Sequence, residues 1–146
     1  MGSDREESPQ HWEWLPCACF LSLPVTFMIT YLWAVMTHKV EPNFPYISST
    51  GTHPPESCVF GQLLNISALL LGCLVWVRHE LIEDYCCQRD THKSLPWWNN
   101  LSSGFGYTGA IGVSLIGNFQ ANKFSSIHLL GAFLAFGVGN LYIWME

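Results

Sequence analysis

The chain has 146 residues, enough for one domain. Hydrophobic residues make up 49% and charged residues 12%, well under the usual quarter of a soluble domain. The net charge of −5, with no basic run, excludes a nucleic-acid surface and a polybasic lipid-binding tail.

The charges are clustered. No Asp, Glu, Lys or Arg lies between Glu13 and Lys39, between Glu56 and Arg78, between Lys93 and Lys123, or between Lys123 and Glu146. Each gap accommodates a span of about 20 residues, the length that crosses a hydrocarbon core. A soluble protein would have to bury all of these nearly uncharged helices with little polar face left. The expected fold is therefore all-α, a four-helix transmembrane bundle over residues 14–146 behind an acidic N-terminus at 1–13.

In chain order, the first helix is expected over about 14–36. No positive region precedes it and no small-residue cleavage site follows it, so it reads as retained rather than removed as a signal peptide. Ser22, Thr26, Thr30 and Ala34 recur every fourth residue. They form a small, weakly polar face for a neighbouring helix, or a set of hydroxyls bonding back to their own helix. Pro24 is a candidate kink.

The first loop contains Pro45, Pro54 and Pro55, which fix φ and remove donors. Gly51 suits a turn with positive φ. Glu56 or Ser57 can start the next helix, expected over about 58–77. There Gln62 and Asn65 share a face that should point into the bundle, because unpaired amides are costly in lipid.

The second loop, 78–96, carries most of the remaining charge and the adjacent Cys86 and Cys87, candidates for S-palmitoylation on a cytosolic face. The third helix is expected over about 97–119 and the fourth over about 127–145. Gly106, Ala110 and Ser114 on one, and Gly131, Ala135 and Gly139 on the other, make small-residue stripes at spacing four. The short connection predicts an antiparallel pair. The same stripes are candidate oligomer contacts. Lys and Arg are most numerous in the second loop, which predicts a cytosolic N-terminus, second loop and C-terminus.

No nucleophile elbow, zinc-helix or phosphate-loop pattern is present, and the cysteines lack metal-ligand spacing. No catalytic, cofactor or metal residue is therefore assigned, and a non-enzymatic role is expected. Two chemical alternatives stay open. His53 with Glu56, or His128, could exchange protons if they met. Gln62, Asn65, Asn118, Gln120 and His128 could converge on a polar pocket in a lipid-modifying enzyme or carrier. A channel-modulating subunit would need a continuous polar path.

Two blocks carry a resemblance. The first is Pro45-Tyr46-Ile47-Ser48, Gly51, Pro54-Pro55-Glu56-Ser57-Cys58, Phe60 and Asn65. The second is Gly117-Asn118-Phe119-Gln120, followed by His128-Leu129, Gly131-Ala132, Leu134-Ala135-Phe136 and Gly139. Together they resemble the Frag1/DRAM/Sfk1 family of multi-pass membrane proteins, which includes the damage-regulated autophagy modulators and the transmembrane-protein-150 group. The helix-four block is similar to that group's 150B branch. The resemblance implies a modulator of autophagy and cell survival in endosomal, lysosomal or plasma membranes. Another branch implies a scaffold that recruits a phosphatidylinositol 4-kinase complex. It singles out Pro54, Pro55, Glu56, Cys58, Asn65, Asn118, Gln120 and His128 as family-motif positions. Each of them also has a purely structural use as turn, cap, buried thiol or interhelical hydrogen bond. Membrane lipids and regulatory proteins are the implied partners. Family members usually have six membrane helices, so a chain ending with the fourth reads as a shortened form.

Overall fold

The computed structural model describes residues 12–43, 45–89 and 95–146. Residues 1–11 of the acidic N-terminus and 90–94 of the second loop lie outside the described residues. The elements are α1 (Trp14–Met36), a 3-10 turn (Ile47–Gly51), α2 (Glu56–Arg89), α3 (Leu95–Asn118), α4 (Ser125–Ala132), a π-helical segment (Phe133–Val138) and α5 (Gly139–Met145). The last three form one continuous rod, so the architecture is a bundle of four long helical segments with no strand among the described residues.

Trp14–Met36, Glu56–Cys87 and Ser125–Met145 are long and apolar enough to cross a membrane. At 24 residues, α3 spans about 36 Å, ample for a bilayer, but Asn, Ser and Gly make it more polar. Its position accounts for that composition. It packs between α2 on one side and the α4–α5 rod on the other. Asn99, Ser102, Ser103, Gly106, Gly109 and Gly112 are all buried there.

The second expected loop is largely helix. α2 continues past Val77 to Arg89, 34 residues or about 51 Å in all. The stretch 78–89 contains no Gly or Pro and carries Arg78, Glu80, Leu81, Glu83, Gln88 and Arg89, good helix formers that need no bilayer. Charge marked where the chain turns polar, not where the helix stops.

The α3–α4 pair is antiparallel, as the short connection predicts, and the α4 stripe of Gly131, Ala135 and Gly139 lines it. On α3 the seam is Gly109 and Gly112, not the expected Gly106, Ala110 and Ser114, of which Gly106 and Ser114 turn toward α2 at Val75 and Asn65. A Cβ at Gly112 would lie 2.5 Å from Ala135 N and 2.7 Å from Gly131 O, and one at Gly109 would lie 3.0 Å from Gly139 Cα. Backbone therefore meets backbone along this seam. On a straight α-helix a spacing of four drifts by about 40° per step. The wider π turn at Phe133–Val138 takes back part of that drift and keeps Gly131, Ala135 and Gly139 toward α3. The other α3 stripe faces α2: Gly106 meets Val75, and Gly117 meets Gly61 and Leu64.

α1 packs on α2 and on the 3-10 turn but makes no close backbone approach to α3, α4 or α5 among the described residues. Its inward face is Leu15, Thr26, Thr30 and Ala34. The Thr26 and Thr30 hydroxyls donate to the carbonyls four residues back, so both sequence readings of this face hold at once. A small core of Phe60, Leu64, Ala68 and Val113 joins α2 to α3, with Leu23, Phe27, Leu71, Ile116 and Ala135 packed against it. Large apolar side chains such as Phe20, Met28, Leu69, Ile111, Leu129 and Phe136 face outward, which suits a lipid surround.

Candidate functional site

The antiparallel order of the helices brings seven of the eight motif positions from Pro54 to Gln120, together with His128, to one end of the bundle, the end of the first loop. That end is assembled from the close of α1. His38 has a φ of 55°, the left-handed region, in a Schellman-type ending. The His38 amide donates to Val35 O and the Lys39 amide to Ala34 O. The turn sends Lys39 back toward the start of α2.

There Glu56, only 1% exposed, receives two donors. Lys39 Nζ lies 2.8 Å from Oε2 and Thr37 Oγ1 lies 2.8 Å from Oε1. Lys39 also donates to the Pro54 carbonyl. A carboxylate in the first turn also complements the helix dipole. Glu56 thus ties the end of α1, the Pro54–Pro55 turn and the start of α2 into one unit. Pro54, Pro55 and Cys58 are themselves exposed on its surface.

The 3-10 turn is braced from both sides. Thr50 Oγ1 donates to Ile47 O and sits 3.3 Å from Thr30 Oγ1 of α1. Gly51 is needed for space, not for positive φ, which no glycine adopts among the described residues. A Cβ there would come within 2.5 Å of the Phe60 ring. This corrects the turn reading of Gly51.

Farther down the same end, α2 and α3 share an amide pair. Asn65 Nδ2 donates to Asn118 Oδ1 at 3.2 Å, and Asn118 Nδ2 donates to Asn65 Oδ1 at 3.0 Å. Ser114 Oγ donates to the same Asn65 oxygen at 2.7 Å. Gln62 does not join them and is exposed, because the inward line of α2 runs through Gly61, Leu64 and Ala68. His128, one turn into α4, has Nδ1 2.8 Å from the Phe119 carbonyl, one of the open carbonyls at the end of α3. Gln120 Oε1 is buried without a partner.

These positions form separate clamps. The polar pocket expected from Gln62, Asn65, Asn118, Gln120 and His128 does not form, since Asn65 and Asn118 satisfy each other and His128 satisfies a backbone carbonyl. Nor does a His53–Glu56 proton pair form: Glu56 is held by Lys39 and Thr37, and His53 is exposed. Sequence reasoning did not assign Thr37 or Lys39 to Glu56 and read Ser114 only as part of a packing stripe. Two signals were available. Lys39 is the sole Lys or Arg between residues 37 and 55, facing a carboxylate at a helix start. Ser114 sits four residues before Asn118 on one helix face.

The opposite end is held differently. Arg78 pairs with Glu146, which also accepts from Ser102 Oγ at 3.0 Å. Asn99 Nδ2 donates to His79 O at 3.0 Å, while its Oδ1 is buried and unpartnered. His79, Glu80 and Glu83 bring ligand atoms within 4.8 Å of one another. Both acids are exposed and His79 Nδ1 already pairs with Ser103 Oγ at 3.1 Å, so the trio belongs to the outer surface of α2. Cys86 is half-buried and Cys87 exposed, both on the extended part of α2, and all six cysteines are free.

The family model described as Frag1/DRAM/Sfk1/Cwh43P N-terminal domain matches residues 11–146. The modulator of macroautophagy TMEM150B-A of Xenopus laevis is 41% identical over 139 residues, covering 92% of this chain and 57% of that protein. The mouse modulator of macroautophagy TMEM150B is 40% identical over 134 residues, covering 90% of this chain and 53% of its own length. Human DNA damage-regulated autophagy modulator protein 2 is 34% identical over 137 residues, covering 94% of this chain and 50% of its own. The chain thus spans about half the length of the curated relatives it matches. No solved structure matches it. With apolar helices of membrane-crossing length and a family match over nearly its whole length, the chain belongs to the Frag1/DRAM/Sfk1 family of multi-pass membrane proteins.

Proposed function

We propose that this chain is a non-enzymatic modulator of autophagy acting from an endolysosomal or plasma membrane. The observation that carries the reading is its 41% identity, over 92% of its length, to a relative named as a modulator of macroautophagy. The geometry at the first-loop end fits such a role. A loop pinned by Glu56, Lys39 and Thr37 offers a fixed surface, with Pro54, Pro55 and Cys58 exposed on it. A pre-ordered surface loses less entropy on meeting a protein partner. The density of Lys and Arg after Val77 supports a cytosolic N-terminus and α2 end, which places the first loop on the luminal or outer face. In that orientation Cys86 and Cys87 are accessible for S-palmitoylation.

The test is autophagic flux in starved cells lacking the gene, re-expressing the tagged chain. Turnover of a lipidated autophagosome marker is read with and without lysosomal blockade, while the tag is imaged. A change in flux from an endosomal, lysosomal or plasma-membrane pool is the expected result. Correct trafficking with unchanged flux contradicts the proposal.

A further inference from the structure

Beneath the first loop lies an apolar cavity of about 490 Å³. Its roof is the loop segment Pro45 to Ser48. Its floor is the α2–α3 core at Phe60, Leu64 and Val113. Leu23 and Phe27 of α1 line one side, and His128, Ala132 and Phe136 line the other. The two side walls come from α1 and from α4 with its π-helical segment, whose backbones make no close approach, so the cavity lies in a slot between them. A second hollow of about 330 Å³ adjoins it, sharing Phe27, Pro45 and Ile47. This volume is in the range of pockets that enclose one compact ligand.

His128 gives the cavity its chemistry. It is 9% exposed and forms part of the wall. Its Nδ1 faces the Phe119 carbonyl at 2.8 Å. A carbonyl only accepts, so Nδ1 carries the hydrogen. With the hydrogen on Nδ1, Nε2 is left as the acceptor of the ring, and no protein group among the described residues bonds to it. An acceptor on a cavity-lining residue with no protein partner can take a donor from a ligand. Among the described residues no Lys, Arg, Asp or Glu lines the cavity, so none of them would neutralise a phosphate headgroup there. Phe27 and Phe60, stacked on each other at 6.4 Å between ring centroids, both line the cavity and give it a stiff aromatic surface. His128 also sits in the first turn of α4, about one turn from the end of an apolar segment long enough to cross a membrane.

We infer that this slot holds a sterol, entering from the bilayer between α1 and α4, with its hydroxyl donating to His128 Nε2 and its ring body on Phe27, Phe60 and Phe136. The site is independent of the autophagy proposal, and neither rests on the other.

The test uses the full chain in lipid nanodiscs with a photoreactive, alkyne-tagged sterol. Saturable labelling is expected on peptides lining the slot. Unlabelled sterol competes, whereas its 3-O-methyl ether, which has no hydrogen to donate, competes about tenfold more weakly. Ala132→Phe fills the slot without touching the histidine hydrogen bond and should abolish labelling while unfolding as wild type does. His128→Phe should remove the preference for the free hydroxyl. Equal competition by the methyl ether, labelling that survives Ala132→Phe, or equal labelling by a photoreactive fatty alcohol or diacyl phospholipid would each overturn the assignment.

Discussion

The seam between α3 and α4 and the slot between α1 and α4 belong to one bundle and follow opposite rules. Along the seam, Gly109, Gly112, Gly131 and Gly139 remove side chains so that backbones touch. Across the slot, Leu23, Phe27 and Phe136 keep bulk, the helices stay apart, and a cavity of about 490 Å³ remains. The first loop closes the top of that slot, anchored by Glu56 in place of helix contact. Small residues thus decide where this bundle shuts, and a salt-bridged loop decides where it stays open. In a bilayer, where apolar burial does not drive helices together, this division is what packing alone can achieve.

The seam should be the most sensitive to substitution. Gly112→Val drives methyl groups into the α4 backbone and is expected to destabilise by about 3 kcal/mol, measured by unfolding in mixed micelles. A near-neutral result would mean the seam is not close-packed. Next comes the loop anchor. Lys39→Met leaves Glu56 buried without its cation and should cost about 2 kcal/mol, less than a fully buried pair because the lysine side chain is 31% exposed. Adding Glu56→Gln should restore part of that loss, since removing both charges is milder than removing one. The amide clamp is smaller. Asn118→Ala should cost about 1 kcal/mol, and a double-mutant cycle with Asn65→Ala should show coupling between the two. The smallest effect is a gain: His38→Gly relieves the left-handed turn and should stabilise by about 0.5 kcal/mol, net of the extra freedom glycine gives the unfolded chain.

Much of this division was legible in the residues. Charge-free gaps mark the helices, and the spacing-four stripe Gly131, Ala135 and Gly139 marks one side of the seam, because both depend on local periodicity; the α3 side, Gly109 and Gly112, was not the stripe the spacing picked out. Pro54 and Pro55 followed by Glu56 mark where α2 begins, because each acts on the backbone directly beside it. What was not legible depends on distant partners. Gly51 looked like a turn glycine and proved to be a space-maker for Phe60, nine residues on in sequence. Gln62 looked equivalent to Asn65, yet only Asn65 meets α3. The extension of α2 to Arg89 was hidden because polarity signals the end of the bilayer and not the end of a helix. The motif positions were found at one end of the bundle, but their sorting into separate clamps required knowing that Lys39, Thr37 and Ser114 face them.

The central claim is that the first loop is an ordered, anchored lid while the seam is closed independently of it. Hydrogen exchange by mass spectrometry on the chain in nanodiscs, wild type against Lys39→Met, tests it most directly. In the wild type the bonded amides of Ser49, Ser57, Cys58 and Val59 should be protected. Lys39→Met should speed their exchange and leave residues 106–117 of the seam unchanged. A wild-type loop exchanging at the free rate, or a variant loop as protected as before, would contradict the account.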